Sequence, residues 1–363
     1  MKLVRTASTW TTALLATAGL TLGLSGLTGC HSLDGFRLGQ RSSTPKPKPE
    51  TTTPGKVTPL PKPSIPSDQP VAGTDSMNRA RILADQGQVD AAIKEFEKAI
   101  EENPLLTGAH MGLGEAQLKS GNLEKAEKAF SKAATLEPKN FKAQFMHASV
   151  LQEMGKLNES IRAYLRAINL RPEDFQANLN LGTAYLQAGE PQSALAYSKH
   201  AVEIKPDDGP ARANLGVVYQ SLGRHEEAVV EFQQAAELTE LSPELLTNLA
   251  DSYGRTKRYE EMVATLEQVV EMKPTAVAFE RLGSGRFRLG LYDKALDAFR
   301  KASELDPNHY PALNGIGVCR LQQWMSGGQS ELALKEEGLT ALRQSLRIEK
   351  NQPKVMELLG RYK

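Results

Sequence analysis

The sequence predicts an all-α solenoid, in which pairs of helices repeat along the chain after an N-terminal segment of different composition. Three observations predict this fold class. From residue 77 onward Ala, Leu, Glu, Lys and Gln dominate, and all five are strong helix formers. From residue 73 onward, small and bulky residues recur with a period of 34 residues. Gly and Pro recur with the same period, at places where helices are expected to end.

Two columns of small residues predict where the helices of a unit approach each other closely. The first column is Ala80, Gly114, Ala148, Gly182, Gly216, Ala250, Gly283 and Gly317, with intervals of 34 residues and one of 33. The second column is Ala99, Ala133, Ala167, Ala201, Ala235, Val269 and Ala302. Small side chains permit a short distance between helix axes, so each unit is expected to be a tightly packed helix pair.

Three further columns complete the period. A bulky residue, expected to fill the gap between neighbouring units, recurs at Phe96, Phe130, Tyr164, Phe232, Leu266 and Phe299, with Ser198 as an exception. A turn glycine, expected in the left-handed conformation after the first helix, recurs at Gly87, Gly121, Gly155, Gly189, Gly223 and Gly290. A proline closes most units, at Pro104, Pro138, Pro172, Pro206, Pro274 and Pro307, with Glu240 in its place once.

Together these columns resemble the tetratricopeptide repeat, whose period is 34 residues. The resemblance implies eight helix-turn-helix units over residues 73–352, at 73–106, 107–140, 141–174, 175–208, 209–242, 243–275, 276–309 and 310–352. The eighth unit carries nine extra residues around Ser326–Glu337, and its second helix is expected to resume near Leu339. Residues 353–363 are expected to form a capping helix, because the last repeat has no neighbour to cover its outer face.

Residues 1–29 have the layout of a secretory signal peptide. Lys2 and Arg5 precede an uncharged stretch from Ala7 to Gly29 that contains five leucines between Leu14 and Leu24. A transmembrane helix is the alternative, since about 20 apolar residues can span a bilayer. However, eight Ser or Thr and four Gly make this stretch only weakly hydrophobic.

The string Leu27-Thr28-Gly29-Cys30 resembles the lipobox of bacterial lipoproteins. The resemblance implies that Cys30 becomes the first mature residue and carries fatty acyl chains such as palmitate. Two or three chains bury enough CH₂ groups for stable membrane attachment. Because His31 follows instead of the Asp that retains lipoproteins in the inner membrane, we expect an outer-membrane lipoprotein that faces the periplasm.

Residues 30–72 are expected to be a disordered linker between the lipid and the repeats. Within them, residues 42–72 are rich in Pro, carry four lysines and contain almost no large apolar residues. Such a segment cannot bury enough surface to fold, and its prolines favour an extended conformation. Its reach would be on the order of 90 Å when fully extended, at about 3.1 Å per residue.

The sequence shows no pattern typical of an enzyme, a metalloprotein or a nucleic-acid-binding protein. Its six histidines share no metal-ligand spacing, and no nucleophile elbow or phosphate-binding loop occurs. The net charge of +1 leaves no basic footprint. Cys319 lies in an apolar stretch and is expected to pack in the core. We therefore expect no cofactor and no small-molecule substrate.

In tetratricopeptide repeats the first helices line a concave groove, which the resemblance makes the expected partner-binding surface. Asn180, Asn214 and Asn248 occupy equivalent places in three consecutive units, and Asn78 occupies the same place in the first. A similar asparagine ladder grips peptide backbone in O-linked N-acetylglucosamine transferase. The alternative is that Asn is simply common in this column.

Three arginines are expected on the same side, at Arg255, Arg281 and Arg288. They could favour an acidic partner segment, although a solvated charged face explains them equally well. The carboxylate clamp of chaperone-adaptor repeats is absent, because the corresponding places hold Met77, Met111, Phe145 and Leu179.

The expected function is that of a membrane-anchored, non-enzymatic scaffold that binds other envelope proteins or peptide segments. One alternative is a pilotin-like assembly factor for a secretin of a type IV pilus or secretion system. Another is a regulatory adaptor of a cell-wall enzyme. Loss of secretin multimers on deletion would favour the first alternative, and altered cell-wall digestion would favour the second.

We predict that Cys30→Ser abolishes lipid attachment without affecting the repeats. Because the thiol is the acylation site, the variant should leave the membrane fraction and should not incorporate labelled palmitate. Membrane fractionation with metabolic labelling measures both effects. A variant that remained in the membrane fraction after signal cleavage would contradict the assignment of Cys30.

Overall fold

The computed structural model describes residues 71–362, and α-helices are the dominant element of that part of the chain, as the sequence predicted. The helices form eight consecutive pairs followed by a single helix, α17, at Pro353–Arg361. The first helices of the pairs are α1 Thr74–Asp85, α3 Thr107–Lys119, α5 Phe141–Glu153, α7 Phe175–Gln187, α9 Gly209–Ser221, α11 Pro243–Arg255, α13 Ala276–Arg288 and α15 Tyr310–Ser326. The second helices are α2 Val89–Glu102, α4 Leu123–Leu136, α6 Leu157–Leu170, α8 Pro191–Ile204, α10 His225–Leu238, α12 Tyr259–Met272, α14 Tyr292–Leu305 and α16 Leu332–Ile348.

The predicted signal peptide, Cys30 and all but the last two residues of the predicted linker lie outside the described residues. Their assignments remain predictions. Within residues 71–362, no helix combines the length and the apolar composition that a membrane span needs.

Each helix packs against the next one along the chain, and several neighbouring first helices also contact each other directly. Such contacts join α1 with α3, α5 with α7, α7 with α9, α9 with α11 and α13 with α15. Because the first helices approach one another more closely than the second helices do, they lie on the inner side of the stack. We call the surface that they present on this side the groove face.

The bulky column packs directly against the first small column in the second, fifth and seventh units. A Cβ atom added to Gly114 would lie 2.6 Å from the ring of Phe130, and one added to Gly216 would lie 2.6 Å from the ring of Phe232. The Phe299 ring lies 2.8 Å from the position of a Cβ added to Gly283 of its own unit, and it also abuts Gly315 of the next unit. The prediction that the bulky residue fills the gap between units is therefore confirmed for Phe299.

Local signals set the helix ends. The first helices α5, α7, α9, α11 and α13 are capped by side chains that accept a hydrogen bond from the backbone N–H three residues later. These caps are Asn140, Asp174, Asp208, Ser242 and Thr275. At the other end, the six turn glycines adopt φ values between 72° and 77°, as predicted.

The prediction for the eighth unit was wrong at one point. The helix α16 begins at Leu332 and not near Leu339, and both helices of this unit contain 17 residues. The extra residues therefore lengthen the helices, and only a short connection separates them. The segment Leu332–Glu337 consists of strong helix formers, so it continues the helix toward its N-terminus.

Lys257 occupies the place of the turn glycine in the sixth unit and adopts a φ of 63°. The left-handed conformation costs a non-glycine residue about 1–2 kcal/mol, whereas glycine loses only about 0.5–1 kcal/mol of extra chain entropy. We predict that Lys257→Gly raises the free energy of unfolding by about 1 kcal/mol, measured by urea denaturation.

The matched control is Gly223→Ala in the fifth unit. No other atom lies within 4 Å of the added Cβ at Gly223, so any loss of stability there comes from the backbone alone. This variant should lower the free energy of unfolding by about 1 kcal/mol. A neutral or destabilising Lys257→Gly would contradict the strain assigned to Lys257.

Candidate functional site

The groove face brings the predicted site residues into two columns. Asn78, Asn180, Asn214 and Asn248 are each the sixth residue of their unit, and Arg281 is the sixth residue of the seventh unit. Arg281 thus occupies, in the seventh unit, the column that holds asparagine in the three units before it. Arg255 and Arg288 lie in the last turns of α11 and α13, at one end of the groove face.

Asn180 is half-buried, and both ends of its side-chain amide are already engaged. Its Nδ2 donates to the hydroxyl of Tyr164 at 3.2 Å, and its Oδ1 accepts from Gln176 Nε2 at 2.7 Å. The Tyr164 side chain is fully buried, and burial raises its pKa to about 12. Its hydroxyl stays protonated at neutral pH and donates to Gln152 Oε1 at 3.0 Å. Asn180 therefore helps to satisfy a buried phenol.

Asn214 links the fourth and fifth units. Its Nδ2 donates to Thr183 Oγ1 at 2.8 Å, and its Oδ1 accepts from Ser198 Oγ at 3.1 Å. Ser198 is fully buried and is the exception in the bulky column. Its hydroxyl needs a partner in the core, and Asn214 supplies one. The fold itself therefore uses this asparagine.

Asn248 has different surroundings. Within residues 71–362 its side-chain amide makes no hydrogen bond, and the side chain is half-buried on the groove face. In the fifth unit, Val217 and Phe232 stand where Thr183 and Ser198 stand in the fourth, and neither has a polar group. The amide of Asn248 is therefore available to a ligand. Asn78 on α1 is exposed and lies apart from the other three asparagines.

Arg281 is engaged within the fold. Its Nη1 lies 2.8 Å from Oδ2 of Asp251, the ninth residue of the preceding unit. The contact has the same register as the one from Asn214 to Thr183. Burial raises the pKa of Asp251, and the positive charges of Arg281 and Arg255 only partly oppose this effect. The ion pair uses one of the five N–H donors of Arg281 and joins the sixth and seventh units.

Arg255 and Arg288 remain exposed, and neither forms an ion pair with another residue in the described range. The field of Arg255 reaches His225, whose pKa is lowered by burial and then by this arginine. Two uncommitted guanidinium groups at one end of the groove face favour a segment with carboxylates. Asn248, Arg255 and Arg288 can bind peptide amides and carboxylates, and these three residues include no nucleophile paired with a base.

Two other potentially reactive groups, a thiol and an imidazole, are buried or hydrogen-bonded within the fold. Cys319 is fully buried, and burial raises its pKa to about 12, so the thiol stays protonated. His147 lies 3.1 Å from Glu127, and burial lowers the pKa of this histidine. Across residues 71–362, no group of three or more His, Cys, Asp or Glu residues could hold a metal ion.

The different surroundings of two asparagines give a test by stability. We predict that Asn214→Ala lowers the free energy of unfolding by about 1–3 kcal/mol, because it leaves the buried Ser198 hydroxyl without a partner. Asn248→Ala should change it by less than about 0.5 kcal/mol, because no side-chain bond is lost. Urea denaturation of both variants measures the difference, and equal effects would contradict the assignment.

Four family models, each described as tetratricopeptide repeat, match the chain. Their matches lie at residues 77–141 and 145–209, 185–239, 243–275 and 276–309. These stretches cover most of the region from α1 to α14. No curated protein sequence matches the chain.

Several solved structures are similar to it. MamA is 25% identical over 44% of this chain and 92% of its own, with a TM-score of 0.42. A tetratricopeptide repeat protein from Parabacteroides merdae is 20% identical over 68% of this chain and 98% of its own, with a TM-score of 0.49. The pilF protein of Pseudomonas aeruginosa is 17% identical over 56% of this chain and 92% of its own, with a TM-score of 0.47. The family models, the 34-residue period and the helix pairs agree, and the chain belongs to the tetratricopeptide-repeat family.

Proposed function

We propose that this protein is a non-enzymatic scaffold of the bacterial envelope, anchored to a membrane through Cys30, whose groove face holds a segment of another protein. Proteins with tetratricopeptide repeats generally serve as interaction scaffolds without catalytic activity. The observation that carries the proposal is the set of polar groups that the fold leaves unused at one end of the groove face. These groups are Asn248, Arg255 and Arg288.

The chemistry of these groups suits a peptide segment. A free asparagine amide offers two donors and one acceptor, so it can pair with a backbone peptide group whatever the side chain. An exposed guanidinium can form two parallel hydrogen bonds with a carboxylate. An extended segment that presents its backbone to Asn248 and an acidic side chain to Arg288 would satisfy both. Asn180, Asn214 and Arg281 play mainly structural roles in this proposal.

The anchor is supported by the sequence alone. The string Leu27-Thr28-Gly29-Cys30 follows an uncharged leader, and His31 in place of Asp favours the outer membrane, with the repeats on the periplasmic side. Holding a partner near a membrane raises its effective concentration there, to the millimolar range for short flexible linkers. This gain requires no additional contact between the two proteins.

The experiment compares capture of the envelope partner by two variants with equal changes in composition. The test variant is Asn248→Ala with Arg288→Gln. The matched control is Asn169→Ala with Arg162→Gln, because both residues are exposed on the second helix α6, away from the groove face. The partner is first identified by cross-linking in cells and mass spectrometry, and its affinity for each variant is then measured by calorimetry.

We predict that the test variant loses about tenfold or more in affinity for this partner, equivalent to at least about 1.4 kcal/mol. The loss arises because a backbone hydrogen bond and a charge-assisted contact both disappear. The control should bind like the wild type. Equal binding by the two variants, with the wild-type affinity retained, would contradict the proposed use of the groove face.

A further inference from the structure

A recess opens on the groove face among α1, α3 and α5. Gly108 and Gly112 lie four residues apart on α3, so both are on one side of this helix. The next unit carries Lys142 and Met146 in these places, and the unit after that carries Gln176 and Asn180. The two positions without side chains contribute to an open recess of about 530 Å³.

The floor of the recess is apolar. It is formed by Phe96, Met111, Ala84 and Ala116, together with the bare backbone of the two glycines. The Phe96 ring lies directly against Gly112, so closely that an added Cβ would overlap it. Next to Gly108, the sulfur of Met77 lies 3.0 Å from the position of an added Cβ. An apolar side chain that reached the floor would meet mainly carbon atoms.

The rim is charged and carries one excess cation. Arg81, Lys119 and Lys142 line it together with Asp85 and Glu115. Glu115 is neutralised by Lys142, since Nζ and Oε1 are 2.7 Å apart. By contrast, Arg81 and Lys119 are exposed and form no ion pair among residues 71–362. The guanidinium of Arg81 reaches over Gly108, because its Nη2 is 3.3 Å from the position of an added Cβ.

We propose that this recess binds an extended acidic segment of a partner protein, taking a bulky apolar side chain onto its floor while a neighbouring carboxylate pairs with Arg81. The inference rests on the proposed function, in which a protein segment lies on the groove face, and it specifies the chemistry of that segment. A side chain buried in a pocket and surrounded by polar contacts is the usual source of affinity in an interface. The four lysines of residues 42–72 give the chain's own N-terminal segment the wrong charge for this rim.

The test fills the recess without disturbing the core. In Gly108→Gln the three heavy atoms nearest to the new Cβ belong to the ends of two flexible side chains, Met77 and Arg81, and Gln occurs naturally at the equivalent Gln176. Gly112 is unsuitable, because any side chain there would collide with the Phe96 ring. Arg81→Gln removes one of the two rim cations that form no ion pair among residues 71–362. The matched control is Val277→Gln, since Val277 is an exposed residue at the same position of the seventh unit.

All variants are made in the full chain with Cys30→Ser, so that none is lipidated. The probes are three labelled peptides, acetylated and amidated at their ends so that only internal groups are tested. The first is Gly-Ser-Glu-Leu-Phe-Glu-Ser-Gly, the second has Lys in place of both Glu, and the third has Ser in place of Leu and Phe. Fluorescence anisotropy measures their affinities at two salt concentrations.

We expect the first peptide to bind at least about tenfold more tightly than the other two. Gly108→Gln should weaken this binding about tenfold or more, and Val277→Gln should leave it unchanged. Arg81→Gln should weaken it and also reduce its dependence on salt, because one screened charge pair is lost. Equal binding of the three peptides, or wild-type binding by Gly108→Gln, would overturn the proposal.

Two outcomes separate this inference from the proposed function. If the cross-linked partner still requires Asn248 and Arg288 while Gly108→Gln has no effect on any ligand, the recess proposal fails and the scaffold proposal stands. Sedimentation velocity measures self-association and thus tests whether a second copy of this chain occupies the recess. Self-association that Gly108→Gln abolishes would show that the recess binds a second copy, which would also overturn the proposal.

Discussion

The rest of this fold depends on one recurring contact, in which a bulky side chain of a second helix packs against a small residue of the first helix in the same unit. The Phe130 ring fills the space over Gly114, and the Phe232 ring fills the space over Gly216. Phe299 contacts glycines of two successive units, Gly283 and Gly315. A single buried ring thus fixes both the helix pair and its neighbour. Loss of such a ring typically costs about 3–5 kcal/mol.

Ser198 replaces the bulky residue in the fourth unit, and this replacement accounts for the hydrogen bonds of Asn214 on the groove face. Ser198 cannot fill the volume of a ring, and its buried hydroxyl needs a hydrogen-bond partner. Asn214 and Thr183 provide a polar network there that joins two units. The next unit carries Asn248 in the same column, while Val217 and Phe232 replace Thr183 and Ser198 and offer no polar group. The polar groups available to a ligand are therefore those, such as the amide of Asn248, that form no hydrogen bond within residues 71–362.

The helices and their order were predictable because each depends on signals within one unit. Periodic small and bulky residues, capping side chains and turn glycines all act over a few residues. Two local features still escaped prediction. Lys257 adopts a left-handed conformation because the turn requires it whatever the residue, and α16 starts at Leu332 because a helix-forming insertion lengthens the helix.

The site was less predictable, because it depends on contacts between units. The sequence places three asparagines in one column, but their hydrogen bonds to the preceding unit depend on residues 16 or 31 positions earlier, as for Asn180 and Asn214. The pairing of Arg281 with Asp251 has the same origin. The recess at Gly108 and Gly112 had a visible signal, since both glycines stand where neighbouring units mostly carry larger side chains. Comparison of equivalent positions across units would have found it.

The central claim is that a partner segment lies on the groove face. Photo-cross-linking in cells tests it most directly, with benzoylphenylalanine placed at one exposed position at a time. Glu153 and Ser221 lie in the last turns of first helices, whereas Gln192 and Gln268 lie on second helices. If a partner segment lies on the groove face, cross-links to the same envelope protein should form from Glu153 and Ser221 only. Cross-links that form from Gln192 and Gln268 instead, or equally from all four positions, would contradict it.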